Sequence, residues 1–310
     1  MLNKLLKYEI KATARLFLPL YATILIFAVI NLFFLAAPDA NENSISFYEL
    51  AVGIGMIVYV ILMTGLVVMT LFVLVQRFYK NLLSDEGYLM FTLPVKSWSH
   101  ILSKLIIAML WTIASSLVAF GSILLTFSDK INVAEFFSSL SAGFIQMKQE
   151  VGAYAYLFCL EVVVLGLLTI ATTILTIYAA IALGQLFNRH KLLASFGMYI
   201  VLQIVSQIII ALSAVIFFRS DIFRPNSAFI PDITLINGMM LASILYFGAF
   251  AAGYFFLTNY MEKVTLNEFD FDYDDGRPEY EVEIKANGKE HDIEIDGYTG
   301  EITEFEIDDD

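Results

Sequence analysis

Glu161 has the most unusual setting of any ionisable residue in this sequence, because it is the only Asp, Glu, Lys or Arg between residues 151 and 188. A carboxylate in such an apolar run is costly to bury in hydrocarbon, and buried ionisable groups often mark ion or substrate pathways. Glu161 also lies about two turns from the expected start of its helix, where water or a neighbouring Tyr or Thr could solvate it. Two interpretations of Glu161 therefore stay open, a transport residue and a polar group near a membrane interface.

The other reactive side chains form no catalytic or metal-binding pattern. Cys159 is the only cysteine, which excludes an intrachain disulfide. The three histidines, His100, His190 and His291, are too scattered to form a zinc site unaided. No GxxxxGKS/T phosphate loop, HExxH, GxSxG or CxxC motif is present. We predict that the chain is not an enzyme and holds no metal or cofactor, so that any energy it uses comes from an ion gradient or another polypeptide.

The composition indicates where the chain resides. Of its 310 residues, 59% are hydrophobic and 16% are charged, and the mean hydropathy is +0.74. A soluble domain has about 25% charged residues, so the chain lacks the polar surface of a water-soluble globule. Its 27 Phe and 16 Tyr also need an apolar environment. The composition therefore excludes a soluble protein and indicates an integral membrane protein.

Six runs without Asp, Glu, Lys or Arg are each long enough to span a bilayer. Roughly 20 helical residues cross a hydrocarbon core of about 30 Å, and a charged residue at its centre costs about 2.5–3.5 kcal/mol. The runs are 16–38, 50–76, 105–128, 162–188, 192–218 and 233–261. We predict an all-α integral membrane domain of six transmembrane helices over residues 1–265, joined by loops, with the fourth helix extended backward past Glu161.

The Lys and Arg residues predict the orientation of these helices. Eleven lie before the first run, between the second and third, between the fourth and fifth, or after the sixth, and four lie in the opposite loops. Since basic loops stay on the cytoplasmic side, we predict that both termini are cytoplasmic and that the protein lies in the cytoplasmic membrane. The first run is longer than the apolar core of a signal peptide and is interpreted as an uncleaved anchor.

The net charge of −13 comes from the C-terminal tail. Residues 262–310 contain 19 Asp and Glu against 4 Lys and Arg, whereas residues 1–261 contain 12 against 14. We place an acidic linker at 266–279 and a small acidic domain at 280–310. Alternating apolar residues in this domain predict a three-stranded antiparallel β segment, with strands at 280–286, 291–295 and 301–307 and a hairpin turn at Asn287–Gly288.

The tail pattern Tyr280-Glu-Val-Glu-Ile, followed by Ile295-Asp-Gly-Tyr-Thr-Gly-Glu, resembles the strand half of PepSY domains. Those domains add a helix that covers the sheet and usually lie outside the cytoplasmic membrane, whereas this tail is predicted inside. A solvated acidic hairpin without a ligand, calcium binding and docking on a partner protein are the alternatives, although the spacing of a calcium-binding EF-hand loop is absent.

The connection between the second and third runs contains an apolar block, Tyr88 to Leu93, that a solvated loop does not need. Asp85 and Glu86 beside Gly87 are typical of a turn or a helix start. Pro94 then ends the block. The block is either a surface for a partner protein or a hairpin that lies on lipid headgroups.

The run Leu83-Ser-Asp-Glu-Gly-Tyr-Leu, followed by Phe91-Thr-Leu-Pro-Val and by Ser103-Lys-Leu, resembles the cytoplasmic loop of bacterial ABC-2 type ABC transporter permeases. The basic start of the chain, the six spans and the ending Tyr260-Met-Glu-Lys extend the resemblance over about residues 1–267. The resemblance implies a permease that pairs with a second permease, identical or different, and exports amphipathic compounds, peptides, antibiotics or lipids. ATP and Mg²⁺ would be bound by a separate ATPase subunit.

The same resemblance implies roles by position. The residues that would contact the ATPase are Asp85, Glu86, Gly87, Tyr88, Phe91, Leu93 and Pro94. Residues 2–14 would lie at the inner membrane interface, and 221–232 would form an outer gate. The expected partners are these proteins and membrane lipid, not nucleic acid. Two other functions stay open, a secondary carrier driven by an ion gradient and a membrane-anchored sensor or assembly factor that uses the acidic tail.

Overall fold

The computed structural model describes residues 2–36, 47–82, 97–130, 132–187, 190–219, 233–266, 269–274, 277–286, 289–296, 299 and 301–308. These residues form seven helices, α1 (Leu2–Ala36), α2 (Phe47–Leu82), α3 (Ser97–Thr126), α4 (Val133–Val151), α5 (Tyr154–Gly184), α6 (Lys191–Arg219) and α7 (Ile233–Leu266). Four strands follow, β1 (Phe269–Asp274), β2 (Arg277–Ala286), β3 (Lys289–Asp296) and β4 (Ile302–Asp308).

All of these helices except α4 are long and apolar enough to cross a membrane. Their apolar segments contain 25 to 31 residues with mean hydropathies of 1.8 to 2.7, and at 1.5 Å per residue they exceed a hydrocarbon thickness of about 30 Å. Large apolar side chains on these helices are exposed, for example Val67 at 60% and Leu245 at 66%. The predicted six-helix membrane architecture is confirmed, and the chain is a multi-pass membrane protein.

Helix α4 corrects the prediction of a loop between the third and fourth spans. The Asn132 side chain caps it by accepting a hydrogen bond from the Glu135 N–H at 3.2 Å. At the other end Gly152, with φ of 63°, donates its N–H to the Lys148 carbonyl at 2.9 Å. None of the 19 side chains of α4 is buried. Its apolar residues alternate with serines and charges, so a search for charge-free runs does not find it.

The membrane helices pack as two groups of three. In the first group, α1 packs on α2 and α3 around a core that includes Phe17 and Trp111. In the second group, α5 packs on α6 and α7, and its core also contains Phe78 from α2. The rings of Phe78 and Tyr178 stack with their centroids 4.0 Å apart. This stack joins the two groups at the end of the bundle where α2 and α5 end.

The turn between α5 and α6 depends on Gly184. A Cβ atom at this position would lie 2.7 Å from both the Cα and the backbone nitrogen of Ser195, which is closer than non-bonded atoms approach. His190, directly before α6, has φ of 58°, a left-handed conformation that is uncommon outside glycine. The turn therefore brings the end of α5 into backbone contact with α6.

The tail forms one antiparallel sheet in the order β1-β2-β3-β4. Strand β1 corrects the prediction of three strands, because it occupies part of the segment 266–279 that was expected to be an acidic linker. The Cα atoms of Phe269 and Val282 are partners in the pairing of β1 with β2. Aromatic residues alternate with Asp in 269–274, and this period of two is typical of a strand even where the charge is high.

Candidate functional site

Three charged residues meet inside the bundle, at the end where α1 and α3 begin and α2 ends. Lys104 Nζ donates a hydrogen bond to Glu9 Oε1, and an Arg77 guanidinium nitrogen lies 3.6 Å from Glu9 Oε2. Only 8% of Glu9 and 4% of Lys104 are exposed. These three residues, called the ion network below, join α1, α2 and α3 at one end of the bundle.

Burial determines how the ion network contributes to stability. Desolvation offsets much of the attraction in a buried ion pair, whereas removing one partner leaves an uncompensated charge at a cost of about 3–5 kcal/mol. The Arg77 side chain is 31% exposed, so it reaches Glu9 from the edge of the bundle. Solvent at this edge weakens the attraction between the Arg77 guanidinium and the Glu9 carboxylate. The pair of Lys104 and Glu9 is therefore the buried centre of the network.

Aromatic and hydroxyl groups hold α1 against α3 beside the ion network. Trp111 Nε1 donates to Thr13 Oγ1 at 2.7 Å, and Thr13 donates to the Glu9 carbonyl, also at 2.7 Å. The Trp111 ring stacks on Phe17 with the centroids 4.6 Å apart. Further along α1, the Tyr21 hydroxyl is 2.8 Å from Ser115 Oγ. Over about three turns, α1 is thus fixed to α3.

A groove of about 380 Å³ lies between α2, α3 and α5. Its walls are largely aliphatic, with side chains such as Leu66, Ile170 and Ile177, and they include Ser and Thr residues from all three helices. Val67 and Leu71 line it and are 60% and 48% exposed, so the groove opens sideways, where lipid would lie. Its volume is in the range of about 300–1,000 Å³ that is typical of small-molecule sites.

The groove and the ion network are neighbours. A smaller cavity of about 20 Å³, lined by all three network residues, shares Thr70 and Leu74 with the groove. Thr70 Oγ1 is 3.1 Å from Ser115 Oγ, which connects these two groove residues across α2 and α3. Charged groups therefore lie next to one end of an apolar groove, an arrangement suited to a molecule with polar and apolar parts.

The loop residues expected to contact a partner lie outside the part of the chain that the structure describes. These are Asp85, Glu86, Gly87, Tyr88, Phe91, Leu93 and Pro94. Glu161 is described, lies in α5 and is only 9% exposed, and its Oε2 has no hydrogen-bond partner among the described residues. Its burial does not agree with a carboxylate that faces water. Glu161 lines neither the groove nor the smaller cavity.

The ion network is not evident from the sequence patterns, in which Arg77 serves only to predict orientation and Lys104 serves to predict orientation and as part of the permease resemblance. One signal was available, because Glu9 is the only acid in residues 1–38 and is surrounded by basic residues. Its partners are about 70 and 95 positions away, so spacing alone does not identify them. Within the described ranges, no three His, Cys, Asp or Glu side chains are grouped so that they could hold a metal ion.

Comparison with known proteins identifies one region of similarity. The family described as peptidase propeptide and YPEB domain, PepSY, matches residues 261–306. The match starts in the last turns of α7 and continues through β1, β2 and β3 into β4. No curated protein and no solved structure gave a significant match. The resemblance of residues 1–267 to ABC-2 type permeases is supported by none of these comparisons and stays a prediction. The tail is therefore similar to the PepSY family, whereas the groove and the ion network lie outside the matched range.

Proposed function

We propose that this chain is the membrane-spanning permease subunit of an ATP-driven exporter in the cytoplasmic membrane. It would move an amphipathic compound, peptide, antibiotic or lipid, while a separate ATPase subunit binds ATP and Mg²⁺. The observation that carries the proposal is the groove of about 380 Å³ that lies among apolar helices and adjoins a buried ion network. A second permease would complete the pathway, with both termini of each chain in the cytoplasm.

The packing of the helices suggests how such a permease would move. The groove lies where α2 and α3 of the first group face α5 of the second, so that displacement of one group against the other changes its width. The first group is held together by the ion network and by the contacts of Trp111 with Thr13 and Phe17. We propose that the two groups move as rigid bodies. ATP binding to the partner subunit would shift the position of one group relative to the other.

We propose that the ATPase acts on the connection between α2 and α3, because this segment is continuous with both helices in the sequence. Residues 83–96 join the end of α2 to the start of α3, and Arg77 and Lys104 lie within about two turns of it on either side. A displacement of this connection would therefore be transmitted through α2 and α3 to the ion network. This placement supports a role for Glu86, Tyr88 and Phe91 in contacting the ATPase.

The experiment is to copurify the chain with its ATPase and to measure ATP hydrolysis in proteoliposomes. Replacing Glu86, Tyr88 and Phe91 by Ala is expected to leave membrane insertion and folding intact but to abolish the stimulation of hydrolysis by the permease. Leu192→Ala, at an exposed position of α6 near the same end of the bundle, is the control and should keep full stimulation. Full stimulation in the triple variant would contradict the proposed coupling.

A second candidate function is a membrane-anchored sensor or assembly factor that uses its tail to bind a partner. The PepSY match over 261–306 and the surplus of acids after residue 261 favour it. Deletion of 268–310 separates the two functions. A permease should retain part of its ATP-dependent transport without the tail, whereas a tail-based sensor would lose all activity while its six helices still insert.

A further inference from the structure

The groove contains an unusual number of hydroxyl side chains for an apolar site. Six of its fourteen lining residues are Ser or Thr, and none of the fourteen is charged. The six are Thr70, Thr112, Ser115, Ser116, Thr169 and Thr173. Because they come from α2, α3 and α5 alike, the polar atoms surround the groove instead of following one helix.

The hydrogen of most of these hydroxyls is already engaged within its own helix. Thr112 donates to the Ala108 carbonyl at 2.8 Å and Ser116 to the Thr112 carbonyl at 2.8 Å. On α5, Thr169 donates to the Leu165 carbonyl at 2.8 Å. Thr173 and Thr70 make the same bond to the residue four positions earlier, at 2.9 Å and 2.7 Å. A hydroxyl has a single hydrogen and two lone pairs, so these five oxygens can only accept a further hydrogen bond.

We infer that the groove binds an amphiphile whose polar part carries neutral hydrogen-bond donors, such as an amide N–H or a hydroxyl. An acceptor in hydrocarbon gains most from a donor, because no water is present to bond with it. A cationic ammonium group would find no carboxylate among the lining residues, which disfavours a charged donor. This inference rests on the proposed function for its role, since it names the substrate class of that exporter.

Two other occupants fit the groove less well. The hydrocarbon chain of an ordinary membrane lipid has no donor and would leave the accepting lone pairs of these hydroxyl oxygens unused. A second copy of this chain would have to present donors to the groove and would close the opening at Val67 and Leu71. Both occupants predict a different result in the experiment below.

The test uses the full chain in lipid nanodiscs without any ATPase, so binding is measured separately from transport. The probes are a long-chain primary amide and the matching methyl ester, each with a diazirine in its alkyl chain. The two differ chiefly in that the amide has N–H donors and the ester has none. Photolabelled positions are mapped by mass spectrometry, and labelling is compared with that of the surrounding lipid.

We expect the amide to label α2, α3 and α5 around the groove about five-fold more than the ester does, the equivalent of about 1 kcal/mol for one net hydrogen bond. The triple variant Thr112→Val, Ser116→Ala and Thr173→Val removes three acceptors with little change in size and should abolish this difference. Thr64→Val is the matched control, because Thr64 makes the same internal bond to Val60 but does not line the groove.

Three results would overturn the inference. Equal labelling by amide and ester would indicate occupation by any lipid chain. No labelling of the groove, with a disulfide between two copies of a Leu71→Cys, Cys159→Ser variant, would indicate that a second chain covers it. An amide preference that survives in the triple variant would show that these hydroxyls do not select the ligand. In contrast, the amide preference could be observed in nanodiscs while ATP-driven transport fails. That combination would leave the binding inference intact and contradict the proposed function.

Discussion

Among single residues, Lys104 and Glu9 are the buried ion pair that joins α1 to α3 in an apolar bundle. Such a pair is more important for where the helices meet than for net stability, since an apolar pair of similar volume is often equally stable. We therefore expect the ion network mainly to fix the ends of α1, α2 and α3 relative to one another.

Replacing Lys104 by Met is expected to destabilise the protein by about 3–5 kcal/mol, because the Glu9 carboxylate then stays buried without its closest cation. The double variant Glu9→Gln and Lys104→Met should recover most of this loss. Thermal unfolding in detergent micelles measures both effects. Lys11→Met, at an exposed position of α1, is the control and should change little. Equal stability of Lys104→Met and wild type would contradict the buried pair.

Residue-level prediction from the sequence was limited to local features. The single acid in a long apolar run made Glu161 a candidate; it is 9% exposed in α5, and its role stays a prediction. The ion network was not predicted, because Glu9, Arg77 and Lys104 meet only after three helices pack. The groove was not predicted for the same reason, since hydroxyls spaced along α2, α3 and α5 converge only in the tertiary structure.

At the scale of elements, the hydrophobic runs were sufficient to predict the six spanning helices, because a bilayer imposes one length and one polarity on each of them. The same criterion missed α4, whose charged and serine residues interrupt every apolar run. It also misjudged β1, because the acids in 269–274 suggested a linker although the alternation with aromatic residues is that of a strand.

The tight turn between α5 and α6 gives a prediction at this scale. Gly184→Ala would place a Cβ atom 2.7 Å from the Ser195 backbone, so the two helices must separate. Overpacking of this kind costs about 1–3 kcal/mol, and the thermal unfolding midpoint should fall accordingly.

Gly166→Ala is the matched control, because it lies in the same helix and a Cβ atom there meets no atom within 4 Å. Its stability should stay unchanged or rise slightly, since alanine favours helix. If the Gly184→Ala variant were as stable as the Gly166→Ala variant, that result would contradict the close approach of α5 to α6 at Gly184.

At the scale of the whole molecule, the contacts within the first group of three helices differ from the contacts across the groove between the two groups. Contacts within the first group include buried ionic, aromatic and hydroxyl interactions between α1 and α3. The groove separates parts of α2 and α3 from α5. An exporter that works by moving one group against the other should therefore tolerate a link within a group and fail with a link between groups.

Paired cysteines test this arrangement in a Cys159→Ser background. A cross-link between Leu74→Cys and Ile174→Cys, which line the groove on α2 and α5, is expected to stop ATP-dependent transport. A cross-link between Val73→Cys and Ile107→Cys, both in the core of the first group, should leave most of it. Equal transport with either cross-link would exclude movement between the groups.

The most direct measurement is transport into proteoliposomes that contain this chain with or without its copurified ATPase. The cargoes are a fluorescent short-chain phospholipid and an amphipathic peptide, and an ion gradient is applied in a parallel sample. We predict transport of at least one cargo only when the ATPase and ATP are both present. Transport by the chain alone, driven by the ion gradient, would contradict the account and identify a secondary carrier.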